Sequence, residues 1–465
     1  MTGPRSSGLA TRDSRRERRS SPETLIVGLG RTGLSAARYL RAQGLSVAVT
    51  DSRRLPPGLD RIRSEMPDVP LSLGGFDPEL FASAGRLILS PGVPLRTPAV
   101  AQAAARGVPV LGDIELFARA VEAPVVAITG SNGKSTVTSL VGLMARLAGL
   151  RVAVGGNLGE PALDLLDDGI ELYVLELSSF QLESTESLAA RAAAVLNVSA
   201  DHMDRYDSLR AYAETKARIF RRADTAVLNR DDPLVRGMGG EAAAKIGFTL
   251  GAPERQEDFG LLEADGETCL ARGREPLIAA REIVLAGRHN LANALAALAL
   301  GHACGLPLTG MREALCRFPG LPHRTVLLSE RGGVRWYDDS KGTNPGATVA
   351  ALRGLVDPAA SGRAVLIAGG DCKGADFSPL VAAVQHAARA VVLIGRDAPL
   401  IERVLRGKVP LLHADDMESA VRLASGAALP GDCVLLSPAC ASFDMFESYE
   451  HRGRAFAAAV EGLEP

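Results

Sequence analysis

Short apolar runs alternate with longer, alanine-rich amphipathic segments along most of the chain. The runs are LILS, VVAIT, LYVLEL, AAVLNV, TAVLN, AVLIAGG, AVVLIG and CVLLSP. Continuous apolar runs of this length, each followed by a helical pattern, predict parallel sheets with helices on both faces. Ligands of such sheets bind beyond the carboxyl ends of the strands, so the residues after each run are the first candidates for function.

The chain of 465 residues is too long for one hydrophobic core, since single cores stop growing at about 250–300 residues. One boundary is predicted near Gly112, where a short strand and a helix precede a strong new strand. A second is predicted within Phe318–Arg324, a segment with two prolines and a glycine. We therefore expect three α/β domains, over residues 23–112, 113–320 and 321–465. The polar stretch 251–286 predicts a small antiparallel excursion.

Residues 1–22 have a different composition, rich in Arg and Ser, and include the stretch RDSRRERRSSPE. They contain no apolar segment of the kind found in secretory signals, and we expect a disordered tail. The rest of the composition is that of an ordinary globular protein, with a formal net charge of −2 and therefore no general attraction to nucleic acid or membranes. Six cysteines without a Cys-x-x-Cys pair favour reduced thiols in a cytoplasmic protein. The uncharged stretch Leu291–Leu308 predicts a buried helix rather than a membrane span.

The first glycine motif lies in TLIVGLGRTGLSAARYL. Gly28-x-Gly30-x-x-Gly33 follows an apolar run and opens a helical pattern, and Asp51 ends the next strand, VAVTD. This arrangement is typical of dinucleotide-binding domains. It also suits any other diphosphate, because backbone N–H groups at a helix N-terminus bind phosphate. The motif alone leaves a NAD-dependent dehydrogenase open.

A second nucleotide motif follows the run VVAIT. It is a variant P-loop, and its residues are Gly130, Ser131, Asn132, Gly133, Lys134, Ser135 and Thr136. The glycines let backbone N–H groups turn towards phosphate oxygens. Lys134 would bind the β- and γ-phosphates, and the Ser135 hydroxyl would ligate Mg²⁺. A triphosphate site has no purpose in a simple hydride-transfer enzyme.

Acidic and histidine residues follow the next two strands. Glu176 ends LYVLEL beside the P-loop, where a carboxylate can hold Mg²⁺ or cap the following turn. His202 lies between Asp201 and Asp204 in DHMDRY, and a lone loop histidine is more often structural than catalytic. The local sequence does not decide whether Glu176 holds a metal or caps a turn, nor whether His202 is structural or catalytic.

Lys216 falls on the apolar stripe of a predicted helix that Ser208 caps. A lysine there either extends its amine to the helix edge, which the local sequence favours, or is buried with a lowered pKa. A neutral amine reacts with CO₂ to form an anionic carbamate that can ligate a metal. Further along, Asn290 is predicted to cap a helix, with an amide that reaches a purine as the alternative, and Asn293 lies one turn later.

Three polar clusters follow strands of the last domain. They contain Asp339, Ser340, Lys341, Thr343 and Asn344; Asp371 and Lys373; and Ser437, Ser442 and Tyr449. Arg324 precedes them. Each cluster alone is compatible with an ordinary turn. Together along one sheet edge they would suit phosphates and a small carboxylated substrate.

In this order, the motifs resemble those of the Mur ligases, which build the peptide of peptidoglycan. The shared segments are TGSNGKST, GGNLG, ELSSFQLE, DHMDRY, GRHNLANALAA, GLPHR, DDSKGTN, GGDCKGADF and LSPACASFDMF. They cover nearly everything after residue 22, and three of them, ELSSFQLE, DHMDRY and SPACAS, are typical of the branch that adds D-glutamate.

The resemblance implies a Rossmann-like N-terminal domain, a P-loop ATPase-like central domain and a Rossmann-like C-terminal domain. It implies an ATP-dependent amide ligase that joins D-glutamate to UDP-N-acetylmuramoyl-L-alanine through an acyl phosphate. It also implies a cytoplasmic monomer that binds neither nucleic acid nor membranes.

The resemblance also assigns site residues. The UDP-sugar would contact Gly30, Arg31, Thr32, Asp51, Arg53, Ser90, Gly92 and Asn157. ATP would contact the P-loop, Asn293, Arg324 and Asp339. Two Mg²⁺ ions would be held by Ser135, Glu176, His202 and Lys216, the last carbamylated by CO₂. Lys341 would lie near the acyl phosphate. D-Glutamate would meet Thr343, Lys373, Ser442 and Tyr449.

Two further classes compete with this interpretation. A non-catalytic nucleotide-binding scaffold would bind without turnover, although Lys134, Glu176, His202 and Lys216 argue against it. A folylpolyglutamate synthase-like ligase shares the P-loop chemistry, but Ser90–Gly92 and SPACAS favour the cell-wall branch.

Overall fold

The computed structural model describes residues 23–240, 242–285, 287–356 and 362–463. The chain divides into two compact units, one ending at Val110 and the other starting at Leu111. The described residues form three sheets, one in the N-terminal region and two in the second unit. The expected N-terminal tail lies outside the described residues.

The N-terminal sheet has the strand order β3-β2-β1-β4-β5. Its strands are Thr24–Val27 (β1), Val47–Asp51 (β2), Leu71–Leu73 (β3), Arg86–Leu89 (β4) and Val110–Gly112 (β5). Its helices are Arg31–Ala42 (α1), Leu59–Glu65 (α2), Pro78–Ser83 (α3) and Pro98–Ala105 (α4). β1 pairs in parallel with both β2 and β4. The strand order reverses between β1 and β4, which is where doubly wound sheets bind ligands.

The central sheet has nine strands in the order β14-β13-β12-β11-β10-β9-β6-β8-β7. Its strands are Val125–Thr129 (β6), Val152–Gly156 (β7), Leu172–Glu176 (β8), Ala192–Val195 (β9), Thr225–Asn229 (β10), Ala244–Phe248 (β11), Phe259–Ala264 (β12), Glu267–Arg272 (β13) and Glu275–Ala279 (β14). Pairing is parallel from β7 to β12, and β12, β13 and β14 form the antiparallel excursion that the polar stretch predicts.

Six α-helices accompany this sheet: Asp113–Ala120 (α5), Lys134–Leu147 (α6), Ser179–Leu182 (α7), Leu209–Ala217 (α8), Arg288–Ala303 (α9) and Leu308–Arg317 (α10). Short 3₁₀ turns cover Ala162–Leu165, Arg218–Phe220 and Ala280–Glu282. The core packs α6 and α9 against one face of the sheet, and α10 packs against these two helices. The predicted buried helix is α9, which ends at Ala303 rather than continuing to Leu308.

The C-terminal sheet has the order β15-β16-β20-β17-β18-β19. Its strands are Val326–Arg331 (β15), Val334–Asp338 (β16), Ala364–Ala368 (β17), Ala388–Leu393 (β18), Leu411–His413 (β19) and Cys433–Leu436 (β20). Its helices are Pro345–Leu355 (α11), Ser378–Ala387 (α12), Ala398–Leu405 (α13), Met417–Ala427 (α14) and Tyr449–Glu461 (α15). Two apolar clusters cover opposite faces, as a buried parallel sheet requires.

All eight apolar runs named from the sequence contain strands, so the α/β prediction is confirmed. One local prediction is wrong. Asn290 does not cap α9, because the helix already begins at Arg288 and its cap is Gly287 at φ 97°. Asn290 is the third residue of the helix. Among the described residues, no helix is both long and apolar enough to cross a membrane.

Candidate active site

The glycine loop after β1 lies at the switch point of the N-terminal sheet. Gly28 has φ 97°, and the Ser90 hydroxyl, just beyond β4, donates a hydrogen bond of 2.9 Å to its carbonyl oxygen. A Cβ on Gly33 would collide with that same carbonyl. Arg31 is the first residue of α1, and Gly30 precedes it as the cap. The N-terminal N–H groups of α1 are thereby presented where a diphosphate can bind.

Both carboxylate oxygens of Asp51 accept hydrogen bonds from neighbouring residues of the protein. Oδ2 accepts hydrogen bonds from the Leu29 backbone N at 2.7 Å and from Arg53 Nη2 at 2.7 Å. Oδ1 accepts from Arg53 N and Nε, both at 2.9 Å. Burial opposes ionisation, but these hydrogen bonds outweigh it and lower the pKa of Asp51 to about 2. A carboxylate has about four acceptor positions, so Asp51 braces this loop instead of offering a free acceptor to a ribose hydroxyl.

The P-loop connects β6 directly to α6. Gly133 caps the helix in the left-handed region at φ 84°, and a Cβ there would collide with Asn293. The Ser131 hydroxyl donates to the Ser199 carbonyl at 2.9 Å, and the Asn132 backbone N donates to Asn197 Oδ1 at 2.8 Å. The loop is therefore anchored to the segment that follows β9.

Lys134 begins α6 and lies folded over the P-loop. Its Nζ donates to the carbonyl oxygens of Gly130 at 2.9 Å and Ser131 at 3.0 Å. Burial lowers the pKa of Lys134, while the negative charges of Glu176 and Asp201 oppose that shift. A polyphosphate would give this amine better partners than two carbonyls.

Glu176 ends β8 and has one carboxylate oxygen without a partner. Oε1 accepts a hydrogen bond from Asn157 Nδ2 at 2.7 Å, whereas the buried Oε2 has none among the described residues. Burial opposes ionisation, but the charge of Lys134 and the bond from Asn157 outweigh it and lower the pKa of Glu176. A buried, ionised oxygen without a donor is costly and is a ligand of the type that Mg²⁺ prefers.

Lys216 is buried, with 1% of its surface exposed, so the interpretation that its amine reaches the helix edge is wrong. Its Nζ donates to the Gly130 carbonyl at 2.9 Å and lies 4.4 Å from the centre of the Tyr212 ring. Burial and the charge of Lys134 lower the pKa of Lys216 well below its usual value. The side chain points inward to the end of β6, at Thr129 and Gly130, and not along the helix edge to water.

His202 stands on a left-handed backbone, with φ 57°. Its ring packs edge-on against Phe180 at 4.7 Å, and the Arg205 guanidinium lies 4.0 Å from the same Phe180 ring. Burial lowers the pKa of His202, with the charge of Asp201 opposing the shift. The neutral imidazole that results is the form that ligates metals.

The C-terminal domain contributes three side chains to this region. Arg324 Nη2 donates to Ser135 Oγ at 3.1 Å, and its buried Nε has no partner among the described residues. Asp339 accepts from Ser437 Oγ at 2.7 Å, and burial raises its pKa to about 7. Lys341 Nζ donates to Tyr449 Oη at 3.0 Å, and burial lowers its pKa to about 8.

A cavity of about 340 Å³ lies between the central and C-terminal domains. Its lining includes the P-loop, the start of α9 and the C-terminal domain, through Asn132, Gly133, Thr136, His289, Asn293, Arg324, Asp339 and Lys341. Asn293 Nδ2 donates to Asn290 Oδ1 at 3.1 Å. The P-loop and the predicted ATP contacts outside it thus meet at one cavity.

The predicted D-glutamate residues lie at one end of the C-terminal sheet. Thr343, Lys373 and Ser442 follow β16, β17 and β20, which are neighbouring parallel strands. Lys373 is exposed, with its amine 5.8 Å from the centre of the exposed Phe443 ring, while Ser442 is buried. Tyr449 begins α15 at the same end.

Sequence reasoning missed several residues of this region. Arg452 is buried and donates to Ser340 Oγ at 3.0 Å and to the carbonyls of Ser340 at 2.8 Å and Cys440 at 3.1 Å. Asn344 caps α11 and also bonds Asn132 and Asp201 of the central domain. The buried His289 Nδ1 lacks a partner among the described residues. Only Asn344 gave a signal, as part of a polar cluster after a strand.

Comparison with known proteins identifies this arrangement. Three family models match: the MurD-like N-terminal domain of Mur ligases over residues 22–112, the Mur ligase middle domain over 128–301, and the Mur ligase glutamate ligase domain over 323–440. The chain belongs to the Mur ligase family.

Curated relatives of this Mur ligase include the UDP-N-acetylmuramoylalanine--D-glutamate ligases of Nitrosococcus oceani and Pseudomonas aeruginosa. The first is 57% identical over 95% of this chain and 96% of its own length, and the second 54% identical over 94% and 98%. Members of the family are ligases that depend on ATP and magnesium.

Solved structures of lower identity share the fold. UDP-N-acetylmuramate-alanine ligase MurC from Thermotoga maritima is 19% identical, with a TM-score of 0.59, over 94% of this chain and 99% of its own. A bifunctional folylpolyglutamate synthase/dihydrofolate synthase from Yersinia pestis is also 19% identical, with a TM-score of 0.55, over 74% and 92%. The similarity to both concerns the fold alone.

The described part of the chain contains no group of three or more His, Cys, Asp or Glu side chains arranged to hold a metal ion. A metal at this Mur ligase site therefore needs ligands of other kinds. The orphaned Glu176 Oε2, the Ser135 hydroxyl and the phosphates of a nucleotide supply oxygens of the kind that Mg²⁺ prefers.

Proposed function

We propose that this protein joins D-glutamate to UDP-N-acetylmuramoyl-L-alanine, with conversion of ATP to ADP and phosphate. The names of relatives at 53–57% identity over nearly the whole chain support the substrates. One structural observation carries the chemistry. Arg324 of the C-terminal domain bonds Ser135 of the P-loop at 3.1 Å, so two domains meet where the γ-phosphate of ATP would lie.

The first step of the proposed reaction is phosphoryl transfer. The muramoyl-L-alanine carboxylate attacks the γ-phosphorus, giving an acyl phosphate and ADP. Lys134 and Arg324 neutralise negative charge on the transferred group, and both are partly buried, where such charge interactions are stronger than in water. Mg²⁺ bound beside them would add positive charge and hold the phosphate oxygens in position.

We propose two Mg²⁺ sites. Ser135 would ligate the first, and Glu176, His202 and carbamylated Lys216 would hold the second. The orphaned Glu176 Oε2 and the lowered pKa values of His202 and Lys216 support this assignment. A neutral Lys216 amine is the form that takes up CO₂, and the carbamate would place an anion beside the Lys134 ammonium.

The second step is attack of the D-glutamate amine on the acyl carbon, with release of phosphate. Lys341 lines the same cavity as Asn132 and Gly133 of the P-loop, and we place it beside the acyl phosphate. Thr343, Lys373, Ser442 and Tyr449 would bind the amino acid. An acyl phosphate hydrolyses readily, so the burial of Asp339 and the partial burial of Arg324 serve to exclude water.

We assign the UDP moiety to the N-terminal sheet, where α1 and the Ser90–Gly92 turn flank the switch point. Gly30, Arg31 and Thr32 offer backbone N–H groups, and Arg53 adds a positive charge whose position is fixed by Asp51. We also propose that Asn157, which bonds Glu176, meets the sugar nucleotide. The enzyme would act as a cytoplasmic monomer without nucleic-acid or membrane partners.

ADP release tests this proposal. The purified chain would be given UDP-N-acetylmuramoyl-L-alanine, ATP, Mg²⁺ and one amino acid at a time: D-glutamate, L-glutamate, L-lysine or meso-diaminopimelate. We expect turnover with D-glutamate alone. Turnover with another amino acid would overturn the acceptor assignment. Turnover only with a folate substrate would favour the chemistry named for the Yersinia pestis protein of similar fold.

A further inference from the structure

Two buried cysteines of the C-terminal domain touch each other. Cys372 follows β17, Cys440 follows β20, and their sulfur atoms are 3.0 Å apart. Both are free thiols that are at most 3% exposed. The two strands are neighbours in the sheet, so the thiols lie at its carboxyl end, beside the proposed D-glutamate site.

The backbone holds the two residues in a register that suits a cross-link. Asp371 and Ala441 form an antiparallel bridge and exchange two N–H to O=C hydrogen bonds, both 2.9 Å long. The next pair inward is Cys372 with Cys440, which occupies the non-hydrogen-bonded position. Cα atoms of such pairs are about 4.5 Å apart, within the range that disulfides span. A bond between the sulfurs therefore requires little backbone movement.

We propose that Cys372 and Cys440 are a site of reversible oxidation, whose disulfide ties together the two loops of the D-glutamate site. A hydroperoxide converts one thiol to a sulfenic acid and becomes an alcohol. The second thiol then displaces water from that sulfenic acid. Two thiols thus lose two protons and two electrons, and the oxygen leaves as water. A dithiol reductant reverses the reaction.

The consequence rests on the proposed function. Lys373 adjoins Cys372, and Ser442 lies two residues after Cys440. Bond formation draws the sulfurs from 3.0 Å to about 2.05 Å, and displacements near 1 Å in a binding site cost up to about a hundredfold in rate. We expect the disulfide to weaken D-glutamate binding without affecting ATP, whose cavity is lined by other segments.

The reaction is expected to be slow at neutral pH. A hydrogen bond with Cys372 and burial both raise the pKa of the Cys440 thiol, and the thiolate is the reactive form. Exposed Cys316 should therefore react first. The test uses a Cys316→Ser background, in which Cys372→Ala is the test variant and Cys433→Ala, which removes another buried thiol of the same domain, is the matched control.

The full-length proteins would be treated with excess hydrogen peroxide, and non-reduced peptides would be analysed by mass. We expect a Cys372–Cys440 peptide in the background and Cys433→Ala proteins, lost on reduction and absent from Cys372→Ala. Its absence from all three would overturn the proposal, whatever their activity.

Kinetics test the consequence separately. We expect the KM for D-glutamate to rise about tenfold on oxidation, with the KM for ATP unchanged and full recovery after reduction. A cross-linked enzyme with an unchanged KM for D-glutamate would overturn the link to the site. A reduced enzyme without any D-glutamate turnover would instead contradict the proposed function, and the peptide mass would still decide whether the disulfide forms.

Discussion

Lys134 and Lys216 donate hydrogen bonds to the same acceptor, the carbonyl oxygen of Gly130, each at 2.9 Å. Two ammonium groups this close repel, and burial further disfavours both charges. The structure resolves the conflict at Lys216, whose pKa lies well below its usual value because of burial and the charge of Lys134. This shift favours the neutral Lys216 amine that the proposed carbamate requires, and it leaves Lys134 as the proposed phosphate ligand.

Lys216→Ala is expected to lower kcat by about a hundredfold or more, because it removes a proposed metal ligand. Formate or acetate should restore part of the activity by filling the carbamate position. Lys216→Arg fills the position with a guanidinium that forms no carbamate, and it should stay inactive with either anion. In ¹³C NMR with labelled bicarbonate, only proteins that retain Lys216 should show a carbamate carbon. Failure of every rescue, with no such signal, would contradict the carbamate.

Lys134→Ala should reduce ADP formation by about a thousandfold or more, because the charge that stabilises the transferred phosphoryl group is lost. Binding of UDP-N-acetylmuramoyl-L-alanine, measured by calorimetry, should change little, since the UDP moiety is assigned to the N-terminal sheet. Loss of both would show that the assignment of ligands to domains is wrong.

Tyr449→Phe removes the hydroxyl that accepts a 3.0 Å hydrogen bond from Lys341. One hydrogen bond to a charged group is worth about 1.5–3 kcal/mol, so we expect the KM for D-glutamate to rise about tenfold. Lys341→Ala should instead reduce kcat. If Tyr449→Phe and Lys341→Ala changed kcat and the KM for D-glutamate to the same extent, the proposed contact of Tyr449 with the amino acid would be contradicted.

The assignment of the glycine loop to UDP predicts which nucleotide stabilises the protein against thermal unfolding. UDP should raise the melting temperature and NADH should leave it unchanged, because the glycine loop is assigned to the UDP moiety of the substrate. Gly33→Ala should abolish the UDP effect, since its Cβ would collide with the Gly28 carbonyl. Stabilisation by NADH rather than UDP would favour the dehydrogenase interpretation.

The pH dependence of the free energy of unfolding should show the titration of the buried Asp113 carboxyl. Its Oδ2 accepts from Gln181 Nε2 at 3.0 Å, and burial raises its pKa to about 6. Because the unfolded carboxyl titrates near 3.9, the native state holds more protons between these values, and stability falls as pH rises from about 4 to 6. Asp113→Asn should therefore gain about 2–3 kcal/mol on wild type over this window. The exposed control Asp168→Asn should show no such slope in urea unfolding.

The P-loop, Glu176 and His202 could be predicted from the sequence because each follows an apolar strand, and parallel strands bring their carboxyl ends to one edge. The strands themselves were predictable because each coincides with a continuous apolar run of the sequence. The burial of Lys216 could not be predicted from the sequence. A lysine on the apolar stripe of a helix can be buried or can extend to the helix edge, and only the packing of α8 determines which conformation it takes.

Other features depend on contacts between distant segments. Arg452 of α15 joins the loop of Ser340 to the loop of Cys440, and no local pattern distinguishes it from an exposed helix arginine. The Cys372–Cys440 contact follows from the neighbouring positions of β17 and β20, which the order of strands along the chain does not reveal. The prediction that Asn290 caps α9 failed for a local reason, because the cap is Gly287 at φ 97° and not a polar side chain.

The most direct test of the central claim follows an oxygen atom. UDP-N-acetylmuramoyl-L-alanine labelled with ¹⁸O in its carboxylate would be converted with ATP and D-glutamate, and the released phosphate analysed by mass. An acyl phosphate requires one ¹⁸O to pass from each carboxylate to each phosphate formed. Phosphate free of ¹⁸O, released together with the amide product, would contradict the mechanism.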